Sequence, residues 1–210
     1  MDALPDPDTI RQLDWSSGRS LGKSNQGEAR RFQIDRHDLV IKAPRGRGPL
    51  RQLHVRSLKR EHQAYQRLAG LAGFPRCHGL IDGQWLVMDY VEGPAFRDAT
   101  LADRDAFFAR LLTIIQAMHA AGVAHGDLKR KANLLVSPRQ QPVIIDLGTA
   151  VLRPASGRGP GQWLFNFMRQ TDLNAWVKLK YNGYQDISME DRQYLKRSRL
   201  ERLLSQLRRR

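Results

Sequence analysis

The 210-residue chain is long enough for one sizeable hydrophobic core, or for two small lobes that share a cleft. Its hydrophobic fraction of 41% and charged fraction of 27% are ordinary for a globular protein, which excludes a disordered or fibrous chain. A single cysteine, Cys77, excludes an intrachain disulfide and a cysteine-based zinc site, and the net charge of +14 favours acidic partners such as nucleotides, nucleic acid or an anionic membrane face.

The N-terminal stretch "MDALPDPDTI" carries acids and prolines where a secretory signal needs positive charge followed by an apolar run. The most apolar stretch, residues 107–125, is interrupted by Arg110 and Gln116 and is too polar to span a bilayer. The sequence therefore predicts a cytoplasmic protein.

Residues 1–91 are predicted to form an N-terminal lobe built on an antiparallel sheet. Three short runs, "RRFQI", "DLVIKA" and "QWLVMDYV", have the β-branched and aromatic content of strands. They surround one helical segment at about residues 50–69.

A glycine-containing turn precedes these runs in the stretch "LGKSNQGEARRF". Gly22, Ser24 and Gly27 stand at the three glycine positions of G-x-G-x-x-G, a loop that can cover nucleotide phosphates. The motif alone is weak, because a flexible surface turn shows the same pattern. An overlapping near-match to a P-loop is rejected, since Ser17 replaces its first glycine and a strand pattern follows where a P-loop needs a helix.

One acid of the predicted helix lies on its apolar face. Glu61 comes three residues after Leu58 and four before Tyr65, on a stripe that also contains Leu50, Leu53 and Leu68. A carboxylate that faces inward needs a cation, because an unpaired buried charge costs several kcal/mol. Lys42, at the end of the predicted strand "LVIKA", is the natural partner.

Helices dominate the predicted C-terminal part, residues 92–210. Apolar spacing predicts a helix over 105–119, a hairpin joining "NLLV" to "PVIIDL", and helices over 161–181 and 188–208. The aromatic helix 161–181 is either core or a platform for the substrate, and it is interpreted as core, with Arg169 and Lys178 as exposed exceptions. The last helix combines a leucine stripe with arginines and would pack on the body or rest on an acidic partner.

Five stretches in this order resemble motifs of the protein-kinase superfamily, over roughly residues 18–152. They are "DLVIKA" (the β3 lysine motif), Glu61 (the helix C glutamate), "WLVMDYVEG" (the hinge), "MHAAGVAHGDLKRKANLLV" (the catalytic loop) and "VIIDLGTA" (the metal-binding DFG motif). The resemblance implies an α+β, two-lobed protein-kinase-like fold and a site for ATP and Mg²⁺.

The same resemblance implies a role for each matching residue. Lys42 would pair with Glu61 and contact the ATP phosphates, and Asp127 would orient the acceptor hydroxyl and take its proton. Asn133 and Asp146 would hold magnesium. The remaining implied contacts are Lys129 to the γ-phosphate, Gly22, Ser24 and Gly27 over the phosphates, Met88 as gatekeeper, and Asp89, Tyr90 and Val91 as the hinge that meets adenine.

The sequence also departs from the kinase pattern. Five residues rather than four separate Asp127 from Asn133, which implies a small bulge; Gly126 replaces the usual arginine, and Leu147 replaces the DFG phenylalanine. No "APE" follows, and residues 147–210 are too few for a full substrate-docking lobe. The shortened C-terminal lobe resembles those of the atypical RIO kinases and the bacterial lipopolysaccharide core kinases.

Three functions remain open at this point. The first is a RIO-like kinase for serine or threonine of a protein, favoured because Lys129 gives the "DLK" of Ser/Thr kinases. The second is a lipopolysaccharide core sugar kinase at the inner membrane face, which the basic C-terminal helix would contact. The third is an ATP-binding pseudokinase or nucleic-acid-binding scaffold, which is less favoured because all the polar catalytic positions are filled.

Overall fold

The N-terminal part of the protein is a five-stranded antiparallel sheet, seen here in a computed structural model that describes residues 6–24 and 27–196. A short helix, α1 (Pro7–Arg11), precedes it. The strands are β1 (Arg19–Ser24), β2 (Gly27–Ile34), β3 (His37–Ala43), β4 (Cys77–Ile81) and β5 (Trp85–Asp89), in the order β1-β2-β3-β5-β4. The three predicted runs are β2, β3 and β5.

Alternation along β3 decides which side chains reach the cleft. Leu39 and Ile41 are buried on one face, where they pack with Phe32 and Ile10. Val40 and Lys42 therefore point to the opposite face, because successive strand residues alternate. That face is covered by helix α2 (Gly48–Arg67), which closely matches the helix predicted over residues 50–69.

The buried residues of α2 lie in its second half, apart from His54. Leu58, Glu61 and Tyr65 lie against the sheet and the core, as their spacing predicted. Leu50 and Leu53 are 54% and 57% exposed, so the predicted apolar stripe is wrong at its beginning. The first turns of α2 extend beyond the sheet.

The C-terminal part is built on two long helices, α3 (Arg104–Ala120) and α4 (Gly159–Lys180). Short strands lie between them: β6 (Val123–Ala124) pairs with β9 (Val151–Leu152), and the predicted hairpin forms from β7 (Leu134–Val136) and β8 (Pro142–Ile144). A continuous core joins both parts. It contains Leu58, Tyr65, Phe107, Phe108, Leu111, Ile115, Met118 and Trp176.

Helix α4 is buried along its second half and partly exposed along its first. Trp176 is 1% exposed, as expected for a core helix, and Arg169 and Lys178 are exposed as predicted. In the first half Phe165 is also 1% exposed, but Trp163 and Leu164 are 67% and 38% exposed. The core interpretation is therefore wrong for Trp163 and Leu164, which lie on the outer side of the helix.

The helix predicted over residues 188–208 does not begin where expected. Residues 188–196 form a turn and a short 3₁₀ helix, Asp191–Tyr194. The chain then contacts α4, where the backbone of Lys196 both donates to and accepts from the side chain of Asn174. The rest of the predicted helix lies outside the described residues. Within the described part of the chain, no helix is both long enough and apolar enough to cross a membrane.

Candidate active site

A buried lysine joins the two parts of the chain. Lys42 Nζ lies 2.6 Å from Glu61 Oε1 and 2.8 Å from Asp146 Oδ1, so one ammonium contacts carboxylates from α2 and from the segment after β8. Glu61 is 1% exposed. The inward-facing acid and its strand lysine meet as the sequence predicted.

This environment fixes the charges. Burial disfavours the charge on Lys42, but Glu61 and Asp146 outweigh burial and raise the pKa of its ammonium. Burial likewise disfavours the charge on Asp146, yet Lys42 holds the pKa of that carboxyl below its usual range. Burial raises the pKa of Glu61, and Lys42 opposes that rise. Lys42 is therefore cationic and Asp146 anionic at neutral pH, the charges that phosphate and metal binding require.

The loop after β6 absorbs its extra residue without separating the two polar side chains. A turn from Asp127 to Arg130 is followed by a 3₁₀ turn, Lys131–Asn133, closed by the Asn133 N–H to the Arg130 carbonyl at 2.9 Å. Asn133 Nδ2 then donates to the Asp127 carbonyl at 3.1 Å and lies 3.4 Å from its carboxylate. The predicted bulge is this additional turn.

His125 has a structural role in the loop. Its Nε2 lies 3.0 Å from the Ile145 carbonyl, which can only accept, and its Nδ1 accepts the Asp127 N–H at 3.2 Å. Both ring nitrogens are therefore engaged, and none remains to act as a base. The histidine instead ties the strand before Asp146 to the loop that carries Asp127.

Two backbone conformations in this region are unusual. Asp146 has φ 64° and ψ 68°, a left-handed conformation that non-glycine residues adopt rarely and often at functional sites. Gly126 has φ 80°, and a Cβ placed there would lie 3.3 Å from the Thr149 carbonyl. The glycine at the usual arginine position is thus required by the path of the backbone.

Most predicted site residues line one cleft between the sheet and the loop. They are Gly22, Gly27, Lys42, Glu61, Asp89, Tyr90, Val91, Asn133 and Asp146. Met88 instead packs in the core at 4% exposure, and Ser24 is placed only by its backbone pairing with Gly27. Lys129 is half-buried in the turn after Asp127. Arg130 also lines the cleft and contributes to the lowered pKa of Asp146.

A family model described as the RIO domain matches residues 26–156, more than half of the chain. The protein belongs to the RIO domain family. This family is part of the protein-kinase-like superfamily, so the predicted resemblance and the two-lobed fold are confirmed. A comparison with curated proteins finds no match.

The matched part of this RIO domain contains Lys42, Glu61, Asp127, Asn133 and Asp146, and it ends before α4 begins at Gly159. Yet α4 supplies a residue that the sequence analysis missed. Asp172, fully buried, accepts the backbone N–H groups of His125 and Gly126 at 2.8 and 2.9 Å and lies 3.0 Å from His119 Nε2. It therefore holds the loop that carries Asp127.

The donor set of this RIO domain fits magnesium bound together with a nucleotide. No group of three His, Cys, Asp or Glu residues suited to a metal occurs in the described ranges 6–24 and 27–196. Magnesium does not need one, because it is commonly held by one or two protein oxygens together with phosphate oxygens and water. Asp146 and Asn133, which line the cleft that Lys42 enters, provide a carboxylate and an amide oxygen for it.

Proposed function

We propose that this RIO domain is an ATP- and magnesium-dependent kinase that transfers the γ-phosphate to a serine or threonine hydroxyl of a protein. The observation that carries the proposal is the convergence of the charged pair Lys42 and Asp146 with Asn133 at one cleft, with the Asp127 carboxylate 3.4 Å from the Asn133 side chain although Asp127 itself does not line that cleft. Phosphoryl transfer needs alignment and neutralisation of charge more than covalent help, and these side chains offer both.

Each residue has a separate task in this proposal. Lys42, held from behind by Glu61, directs its ammonium at the phosphates, and the backbone of β1 and β2 around Gly22 and Gly27 covers them. Magnesium, when bound at Asp146 and Asn133, would offset the charge of the phosphate oxygens. Asp127 accepts a hydrogen bond from the acceptor hydroxyl, orients its oxygen in line with the γ-phosphorus and receives its proton as the new P–O bond forms, while the bond from the γ-phosphorus to the β,γ-bridging oxygen breaks and ADP leaves.

The protein acceptor is favoured over the lipopolysaccharide sugar. Membership of an atypical protein-kinase family and Lys129 at the "DLK" position both support it. The sugar alternative was supported by the shortened C-terminal lobe and by a membrane-facing helix over residues 188–208, and residues 188–196 do not form the start of that helix. The filled catalytic positions also favour transfer over a scaffold role.

The test is transfer of label from γ-labelled ATP, with magnesium, to a general unfolded serine-rich protein, with Asp127→Asn beside the wild type. Loss of a general base lowers rates about 10²- to 10⁴-fold, so labelling should fall by at least two orders of magnitude while ATP still binds. Asp186→Asn, an exposed turn residue with the same change of charge, is the matched control and should label at the wild-type rate.

Three results would reject this function. The first is equal labelling by the wild type and Asp127→Asn, and the second is label that enters only a lipid-linked sugar fraction. The third is ATP binding without any transfer, which would identify a scaffold.

A further inference from the structure

The first turns of α4 display an aromatic platform, which we define as Trp163, Leu164 and Phe167. The Trp163 and Phe167 rings stack with centroids 5.7 Å apart and planes within 14°. Trp163 is 67% exposed and Leu164 38% exposed. A contiguous apolar patch of this kind is typical of an interaction site, whereas scattered apolar residues are ordinary.

The aromatic platform lies beside the catalytic loop. Asp172 binds the Gly126 N–H at 2.9 Å, and one turn earlier Met168 reaches the same glycine, because a Cβ there would lie 3.5 Å from its sulfur. Leu164 lies one further turn along the same side of the helix. At 1.5 Å per residue, Leu164 lies about 6 Å along α4 from Met168 and about 12 Å from Asp172, the two residues that reach the loop before Asp127.

The connection between Asp146 and α4 is too short to cover this half of the helix. It runs from residue 147 to 158 and is occupied by a 3₁₀ turn, Leu147–Thr149, and by strand β9. Pro154 of this connection lies 3.6 Å from a Cβ placed on Gly161, in the first turn of α4. Within the described part of the chain, Trp163 and Leu164 are therefore left exposed.

The surroundings of the aromatic platform are cationic. Residues 147–171 contain Arg153, Arg158 and Arg169 and no acid. All three arginines are exposed, and the guanidinium groups of Arg153 and Arg169 lie 5.9 and 5.8 Å from the Phe165 ring centroid. Charge complementarity selects an acidic partner, and the platform selects one with an apolar anchor.

We propose that the aromatic platform docks the protein acceptor, and that it takes an acidic segment with an aromatic or aliphatic side chain up to about four residues from the phosphorylated hydroxyl. The upper bound follows from the separation of about 12 Å between Leu164 and Asp172, since an extended chain advances about 3.3 Å per residue. The assignment rests on the proposed kinase function and adds the class of acceptor to it.

Other occupants fit less well. Residues 197–210 of the chain contain six arginines and one acid, so the arginines around the platform would repel them. Aromatic and arginine side chains also bind single-stranded nucleic acid. Here, however, Phe167 covers one face of the Trp163 ring and Leu164 adds aliphatic surface, an arrangement suited to packing a side chain rather than stacking successive bases.

The direct test is binding of fluorescent peptides to the full chain, followed by anisotropy. The probe is an acidic peptide with one serine and a phenylalanine four residues away; companion peptides replace the phenylalanine by alanine or the acids by lysine. Since aromatic anchors dominate binding energy, Trp163→Ala should weaken the Kd for the probe about tenfold or more. Met189→Ala, which removes an apolar side chain that is 87% exposed outside the platform, should leave it unchanged.

The two readouts separate this inference from the kinase function. Peptide binding that depends on Trp163, without phosphate transfer, would retain the docking surface and reject the kinase. Phosphate transfer to the probe with the same KM in the wild type and in Trp163→Ala would retain the kinase and reject the docking surface.

Docking is also overturned if the alanine peptide binds as tightly as the probe, or if no peptide binds. Trp163-dependent binding of oligouridine in place of the peptide would assign the platform to nucleic acid. Tenfold tighter peptide binding after removal of residues 197–210 would assign it to the C-terminal segment of the chain itself.

Discussion

The two tryptophans of α4, one in each half of the helix, have opposite surroundings. Each half carries a tryptophan among apolar residues, yet Trp176 is 1% exposed and Trp163 is 67% exposed. The buried half packs against α3, where Trp176 Nε1 donates to the Phe108 carbonyl at 2.8 Å. The exposed half continues past α3 and has no layer of the described chain over its tryptophan.

The difference shows how a short C-terminal lobe supports a catalytic loop. Asp172, near the middle of α4, fixes the backbone before Asp127, and the buried half of the helix fixes Asp172. The exposed half then extends from this anchor along the side proposed here for the acceptor. One helix therefore supports the loop through its buried half and offers a proposed docking surface on its exposed half. Four substitutions test this difference between the two halves.

The largest effect is expected for Trp176→Ala. Removing a fully buried tryptophan should lower the free energy of unfolding by about 3–5 kcal/mol, because a cavity remains and the Phe108 carbonyl loses its donor. Urea denaturation followed by circular dichroism measures this change. A loss below about 1 kcal/mol would show that this half of α4 is not part of the core.

Asp172→Asn should have the next largest effect. The side-chain amide presents one acceptor in place of two, so one of the loop N–H groups of His125 and Gly126 loses its partner. An unsatisfied buried donor costs about 1–3 kcal/mol of stability. We also expect phosphate transfer to fall while ATP affinity, which depends on Lys42, is retained. Equal losses of both would mean that Asp172 supports the whole fold rather than the loop.

Gly126→Ala tests the same loop with a smaller change. Its φ of 80° is unfavourable for an alanine by about 1–2 kcal/mol, and the new Cβ would lie close to the Thr149 carbonyl. Gly70→Ala is the matched control, because Gly70 has φ 82° with open space around it. Both variants should lose similar stability, but only Gly126→Ala should slow transfer. Equal activity in the two variants would contradict a positional role for the loop backbone.

The nucleotide side of the site was predictable because local rules specify it. Alternation along the strand directs Lys42 inward, and the apolar stripe of the helix directs Glu61 inward. Two short stretches of sequence are therefore enough to predict that the two side chains meet. The stripe rule failed at Leu50 and Leu53, since periodicity shows which face is apolar but not how far the neighbouring sheet extends.

The acceptor side was less predictable because it depends on distant packing. Asp172 satisfies the criterion that identified Glu61, an acid on an apolar face, four residues after Met168 and four before Trp176. Its partners, however, lie 46 and 47 residues away, and nothing in the sequence links them. Whether an aromatic helix is covered likewise depends on elements elsewhere in the chain, so Trp163 and Trp176 could not be distinguished in advance.

The smallest effect on stability is expected for Trp163→Ala. The ring is mostly in solvent and contacts Phe167 one turn away, and such pairs stabilise a helix by about 0.2–0.5 kcal/mol. The unfolding midpoint in urea should therefore barely move, in contrast to Trp176→Ala on the same helix. A loss of 2 kcal/mol or more would mean that Trp163 is covered in the folded protein and is unavailable to an acceptor. A small loss combined with weakened peptide binding is the result that only an exposed docking side chain produces.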